Sequence, residues 1–232
     1  MESGEATLAI MGIVIIPVFS LLTSIAVIYT ILKSRTRGEI LDAILLGVGG
    51  VGLVSIVKML IILCCPLDTL QMAIVVAPLV EEFIRNYLVY EVIRGRKTHI
   101  GTILGGIVGV GFATVENITY GIYFALIFGP GHGLQVVMLR TILLPLGHVL
   151  YSLLFAYAAS RGHIAIGFVT CVFLHSFWNS MVIYFNIDSL DRSLPLILSH
   201  SFVLVVLLIL LTFTTENNEH NEVDEKFVRK VY

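Results

Sequence analysis

The segment from Thr69 to Ile93 reads TLQMAIVVAPLVEEFIRNYLVYEVI and carries two adjacent acids, Glu81 and Glu82, near its centre. Its length exceeds the ~20 residues that a helix needs to cross a bilayer. A charged side chain at bilayer depth costs at least ~2.5–3.5 kcal/mol on insertion scales, so such acids face a protein interior or a water-filled cavity. The segment therefore predicts a membrane-spanning helix that turns a polar face towards the inside of a bundle.

The composition of the whole chain agrees with a membrane location. Of the 232 residues, 57% are hydrophobic and 13% are charged, and the mean hydropathy is +0.97. A soluble domain carries about 25% charged residues. The net charge of −2 gives no indication of nucleic-acid binding. The three cysteines, Cys64, Cys65 and Cys171, lie in apolar stretches, and we interpret them as free thiols.

About seven apolar runs are long enough to span a bilayer, and the predicted fold class is an all-α polytopic transmembrane helix bundle. We assign residues 1–214 to one transmembrane helical domain and residues 215–232 to a polar, flexible cytosolic tail. The predicted spans cover residues 8–32, 40–65, 69–93, 100–128, 133–158, 164–185 and 194–214.

The basic residues predict the orientation of the bundle. They follow the first, third and fifth predicted spans and recur in the tail, whereas the other loops hold only Arg192. The positive-inside rule then places the N-terminus outside and the C-terminus in the cytosol, which requires an odd number of spans. The leader Met1–Glu5 is acidic, so we interpret the first run as a span and not as a signal peptide.

The acid pair of the third run has a candidate partner on its own helix. Glu81 and Arg85 are four residues apart and share a helix face, while Glu82 lies about 100° round the helix. One acid can therefore pair with Arg85 while the other points elsewhere. Pro78, just before the acids, removes a backbone hydrogen bond and predicts a kink.

A third acid, Glu116, lies in the fourth run with Asn117 and Tyr120 close by. No lysine or arginine stands three or four residues from Glu116. Its charge must therefore be neutralised by a metal, a proton or another helix.

The fifth and sixth runs each carry a histidine. His148 follows Pro145 by three residues, and Arg140 stands upstream, where it either balances an acid or extends to the interface. His175 and Asn179 are four apart and share a helix face. We interpret both histidines as functional.

Depth supports a common site. At 1.5 Å per residue, the polar centres of four runs lie roughly 15–25 Å from the outer ends of their helices. They therefore share one layer near the middle of a ~30 Å core. Lys58 and His200 lack a partner at helical spacing, and we interpret them as structural. The four centres are Glu81, Glu116, His148 and His175.

The residue types in this layer suit peptide hydrolysis. Glu116, His148 and His175 would form a His₂Glu set, which is a known catalytic zinc combination with one open position. We therefore predict Zn²⁺ as the cofactor at these residues. A metal-free site, in which a Glu and a His activate water directly, is the alternative.

The remaining polar side chains supply the other catalytic roles in this prediction. Glu81 or Glu82 would act as the general base on water, and the choice between them stays open. Asn179 and Arg140 would donate hydrogen bonds to the oxyanion of the transition state.

Four motifs on successive runs resemble the PrsW family of polytopic intramembrane proteases. They are E-E-x-x-R at 81–85, F-x-x-x-E-N-x-x-Y at 112–120, an Arg followed by P-x-G-H at 140–148, and H-x-x-W-N at 175–179. The resemblance covers roughly residues 75–180. It implies an endopeptidase of a prokaryotic cell membrane, which meets the lipid bilayer and cleaves membrane-anchored proteins such as anti-sigma factors. It carries function onto Glu81, Glu82, Arg85, Glu116, His148, His175 and Asn179.

The PrsW family is grouped with CAAX-type prenyl endopeptidases and bacteriocin-processing membrane enzymes, and the chain departs from those relatives at two points. The CAAX-type motif has one more residue before its arginine and a histidine where this chain has Glu116. Prenylated substrates are therefore not expected. Arg85 stands where the PrsW pattern commonly has lysine, which keeps the charge.

Two other functions use similar residues. A proton- or ion-coupled transporter also needs buried acids and histidines, but it often shows internal repeats, and we find none. A seven-span receptor needs no acid pair at mid-membrane. A scaffold without activity leaves the buried acids unexplained.

Overall fold

The computed structural model describes residues 3–32, 37–143 and 145–184, and within these ranges the fold is helical without strands. This confirms the predicted all-α class. The helices are α1 (Ser3–Leu32), α2 (Arg37–Cys64), α3 (Thr69–Gln71), a π-helical turn (Met72–Val76), α4 (Ala77–Ile93), α5 (Thr98–Phe128), α6 (Pro130–Leu143), α7 (Pro145–Ser160) and α8 (Ile164–Tyr184).

Four of the described helices are long and apolar enough to cross a membrane. They correspond to the first, second, fourth and sixth predicted spans. The third predicted span is helical but consists of α3, a π-helical turn and α4, and the fifth is helical in its described residues, as α6 and α7. The predicted seventh span, residues 194–214, and the tail at 215–232 lie outside the described residues, so the number of spans and the orientation stay predictions. The four apolar segments are Gly4–Ser24, Gly38–Cys64, Thr98–Phe128 and Ile164–Tyr184.

The third predicted span begins with a capped turn and continues through a π-helical turn into α4. Asp68 caps α3 by accepting a hydrogen bond from the Gln71 amide at 2.7 Å. The π-helical turn ends where the Ala77 amide donates to the Met72 carbonyl, immediately before Pro78. The irregular backbone thus ends just before Pro78, where the sequence predicts a kink.

The predicted fifth span is helical on both sides of residue 144, which lies outside the described residues, and both pieces pack along α5. Gly121 of α5 approaches Val137 of α6, while Gly109 of α5 approaches His148 of α7. A Cβ atom at Gly109 would lie 2.6 Å from the His148 carbonyl oxygen, so glycine is what permits this close approach. Both α6 and α7 run antiparallel to α5.

The distribution of side chains is inverted relative to a soluble protein. Large apolar side chains such as Leu8, Leu63 and Leu126 are exposed on the outer surface. The buried residues include an apolar cluster on α2, α4, α5, α7 and α8. Beside it lies a group of buried polar and charged side chains, which is costly unless each is paired. This polar group is the site that the sequence predicts.

Candidate active site

Glu82 and Arg85 of α4 form an ion pair whose side chains are both fully buried. One carboxylate oxygen of Glu82 accepts from Arg85, and the other lies 2.7 Å from Nδ1 of His175. The acid that pairs with Arg85 is therefore the one three residues away, and Glu81 points elsewhere. Both carboxylate oxygens of Glu82 make hydrogen bonds and the side chain is buried, so its position is fixed.

Glu81 contacts a residue that the sequence analysis interpreted as structural. Nζ of Lys58, on α2, donates to Oε1 of Glu81 at 2.8 Å. The other oxygen of Glu81 lies 3.6 Å from Nε2 of His175. Lys58 has its partner on another helix, and spacing along one helix gives no signal for such a pair.

Glu116 is neutralised by another helix, which was one of the three possibilities left open. Nη2 of Arg140, on α6, donates to Oε2 of Glu116 at 2.8 Å. The Arg140 guanidinium also donates to Oδ1 of Asn117 at 3.0 Å and lies 4.0 Å from the centroid of the Tyr120 ring. Arg140 therefore balances an acid of the site.

The two histidines connect the buried ion pair to the other acids. Nδ1 of His148 faces the Arg85 guanidinium, and its Nε2 lies 2.5 Å from Glu116. A guanidinium only donates, so Nδ1 of His148 is the acceptor and Nε2 carries the hydrogen. In His175, by contrast, Nδ1 carries a hydrogen and donates it to the Glu82 carboxylate, while Nε2 faces Glu81. The Glu82–Arg85 pair thus fixes which ring nitrogen carries hydrogen in each histidine.

Asn179 is anchored by the irregular turn before the acids. Its Nδ2 donates to the Ala73 carbonyl oxygen at 2.8 Å. In a π-helical turn that oxygen would accept from the residue five positions on, which is Pro78, and proline has no amide hydrogen. Asn179 therefore satisfies a carbonyl that Pro78 leaves without a partner, and its amide retains a second hydrogen.

A cavity of about 40 Å³ lies among these side chains. A water molecule needs about 10–15 Å³ of such space, so the cavity admits a few. Glu81 lines the cavity, whereas Glu82 and Arg85 do not. The structure thus brings the predicted layer together around one space. Its polar lining comes from Glu81, Glu116, Tyr120, Arg140, His148, Tyr151, His175 and Asn179.

A metal ion fits three of these side chains by donor type and spacing. Ligand atoms of Glu81, Glu116 and His148 all lie within 4.8 Å of one another. Carboxylate oxygen and imidazole nitrogen are both zinc donors. A neutral imidazole that binds a metal through Nε2 carries its hydrogen on Nδ1, so His148 would have to change tautomer and give up its contact with the Arg85 guanidinium. Glu116 and His148 also belong to the predicted metal set. Its third member, His175, lies outside the compact set, with Nε2 3.6 Å from a Glu81 oxygen.

Comparison with known proteins agrees with this geometry. The family model described as PrsW family intramembrane metalloprotease matches residues 40–212, which is most of the chain. The match names that family and not the wider CAAX-type group. No curated protein and no solved structure matches the chain.

Proposed function

Because the chain belongs to the PrsW family of intramembrane metalloproteases, we propose that it hydrolyses peptide bonds of membrane-anchored proteins in the cavity between α4, α5, α7 and α8. The observation that carries this proposal is the convergence of acids and histidines from four helices on one small polar space inside an apolar bundle. Proteolysis in a membrane needs such a space, since water must reach a peptide bond there. The substrate class is a protein anchored like an anti-sigma factor, in a prokaryotic cell membrane.

In this proposal Glu81, Glu116 and His148 hold the metal, which we take to be Zn²⁺. Their mutual spacing supports the assignment. When bound, zinc supplies Lewis-acid polarisation at the reacting carbonyl. Relative to the sequence-based prediction, Glu81 takes the place of His175 as the third ligand.

His175 is then the group that accepts the proton of the attacking water. Its Nδ1 donates to Glu82 at 2.7 Å, which orients the ring and stabilises a positive charge on it. Its Nε2 faces Glu81 at the cavity. Glu82 thus contributes to water activation through His175, and not by direct contact with the water.

Asn179 and Arg140 would stabilise the oxyanion. Both line the cavity, and both are already held in place by hydrogen bonds to other helices. A donor that is fixed before the reaction stabilises developing charge without further reorganisation.

A cleavage assay with the full chain in proteoliposomes tests the proposal. The substrate is a reporter anchored by a single membrane span, and the variants are Glu116→Gln and His175→Ala. Each is expected to lose at least about 100-fold in rate, which is the usual contribution of a positioned acid–base group or more. Glu91→Gln removes an exposed carboxylate of α4 and serves as the control that keeps wild-type cleavage.

Cleavage at the wild-type rate by both site variants would overturn the proposal. A proton- or ion-coupled transporter, the other function that uses such a cluster, predicts solute uptake by the same proteoliposomes without proteolysis. The family match favours the protease.

A further inference from the structure

The charges of the site balance without an added ion. Three carboxylates and three cationic side chains meet there, and each carboxylate has one cationic partner. With neutral histidines, the net charge of this cluster is zero. The pairs are Lys58 with Glu81, Arg85 with Glu82, and Arg140 with Glu116.

A divalent cation bound by Glu81, Glu116 and His148 would bring two further positive charges into this balanced cluster. Unbalanced charge is costly in a buried site, and cationic groups a few ångströms from the ion repel it strongly. Such an ion would also compete with Lys58 and Arg140 for carboxylate oxygens. At least one cationic side chain therefore has to withdraw when the ion binds.

The two arginines are the more firmly held cations. Arg85 is completely buried, and its guanidinium contacts Glu82 and His148. Arg140 contacts Glu116 and Asn117 and lies against the Tyr120 ring. Withdrawal of either one would break several interactions at once.

Lys58 is held more loosely than either arginine. In the described part of the chain its ion-pair partner is Glu81, and its side chain is 24% exposed. An ammonium on a flexible four-carbon stem can leave one oxygen without disturbing a planar, multiply bonded geometry. Withdrawal of Lys58 therefore requires the loss of a single ion pair.

We propose that Lys58 is the displaceable counterion of Glu81. It neutralises this acid until a divalent cation binds, and its ammonium group then moves away from Glu81 to a more exposed position. Lys58 thereby sets the affinity of the site for the metal. This inference rests on the proposed function for the identity of the metal-binding residues.

The test is the Zn²⁺ affinity of the full chain in detergent, measured by competition with a chromophoric chelator. Lys58→Met is expected to bind Zn²⁺ at least about 10-fold more tightly than wild type, because a repelling charge beside the ion is gone. Lys58→Gln should behave in the same way, which guards against poor folding of one variant. Lys58→Arg should stay close to wild type.

Lys97→Met is the matched control, since it removes one positive charge from an exposed position outside the site. It should leave the Zn²⁺ affinity unchanged. Equal or weaker Zn²⁺ binding by both neutral Lys58 variants would overturn the inference. That result would leave the proposed protease intact if wild type still cleaves the reporter. Conversely, Lys58→Met could bind Zn²⁺ more tightly while wild type fails to cleave the reporter. That result would support Lys58 as the counterion and refute the protease.

Discussion

The site has two halves that differ in how far their ion pairs are exposed. The buried half is the Glu82–Arg85 pair, which is fully enclosed by protein and contacts His148 and His175. The cavity half contains Glu81 and Glu116, whose cationic partners remain 24% and 20% exposed. Each histidine turns Nδ1 to the buried half and Nε2 to an acid of the cavity half.

The buried half orients the two histidines, whereas the cavity half carries the acids that we propose take part in the reaction. The buried pair fixes both imidazole rings and the position of hydrogen on each, but it does not reach the cavity. The cavity acids line the polar space in which we propose that the reaction takes place. Two adjacent glutamates of one helix thus take different parts, because α4 turns about 100° between them.

The largest expected effect comes from breaking the buried half. Arg85→Met should lower the free energy of unfolding by about 3–5 kcal/mol, since Glu82 would be left as an unpaired buried charge. Arg85→Lys keeps the charge and should recover part of the loss. Thermal unfolding in detergent measures the change.

Two further arginine and lysine variants sharpen the same comparison. Arg94→Met removes an exposed arginine just after α4 and should change stability by no more than about 0.5 kcal/mol. Lys58→Met, in the cavity half, should cost less than Arg85→Met. If Lys58→Met destabilised the chain as much as Arg85→Met, the division into two halves would be wrong.

The sequence allowed prediction of the helices and of the shared polar layer, because apolar run length and the cost of buried charge are properties of the chain itself. It also led to the expectation that one acid pairs with Arg85. It could not identify which, since a partner at three residues and one at four are both within reach on a helix. Contacts with neighbouring helices decide it, because His175 binds Glu82 and Lys58 binds Glu81.

Contacts between helices account for the features that were not predicted. The Lys58–Glu81 pair joins α2 to α4, and no spacing within one helix could indicate it. Only the fold brings Glu81, and not His175, into the compact set with Glu116 and His148.

A smaller effect is expected from the helix contact that positions His148, the residue between the two halves. Gly109→Ala would place a Cβ atom 2.6 Å from the His148 carbonyl oxygen and 2.9 Å from Cα of Val149. Overpacking of this kind costs typically about 1–3 kcal/mol. It should also lower cleavage, because α7 and its histidine must move away from α5.

The control for that substitution is Gly52→Ala. A Cβ atom at Gly52 of α2 meets nothing within 4 Å, so alanine there should be neutral or stabilise the helix by up to about 1 kcal/mol. Unchanged stability and cleavage in Gly109→Ala would show that the α5–α7 contact does not position His148. Thermal unfolding and the reporter assay, run side by side, measure both quantities.

The smallest expected effect is the coupling between Asn179, which lines the cavity and is anchored to the Ala73 carbonyl, and Pro78. Asn179→Ala leaves the Ala73 carbonyl without its donor and should cost about 1–3 kcal/mol of stability. Pro78→Ala restores an amide hydrogen at the position that can serve this carbonyl. In the Pro78→Ala background, Asn179→Ala should therefore cost less, with a coupling of about 0.5 kcal/mol or more. Purely additive losses of stability would mean that Asn179 and Pro78 do not share the Ala73 carbonyl. Cleavage should still fall when Asn179 is replaced in either background, because the proposed oxyanion donor is gone.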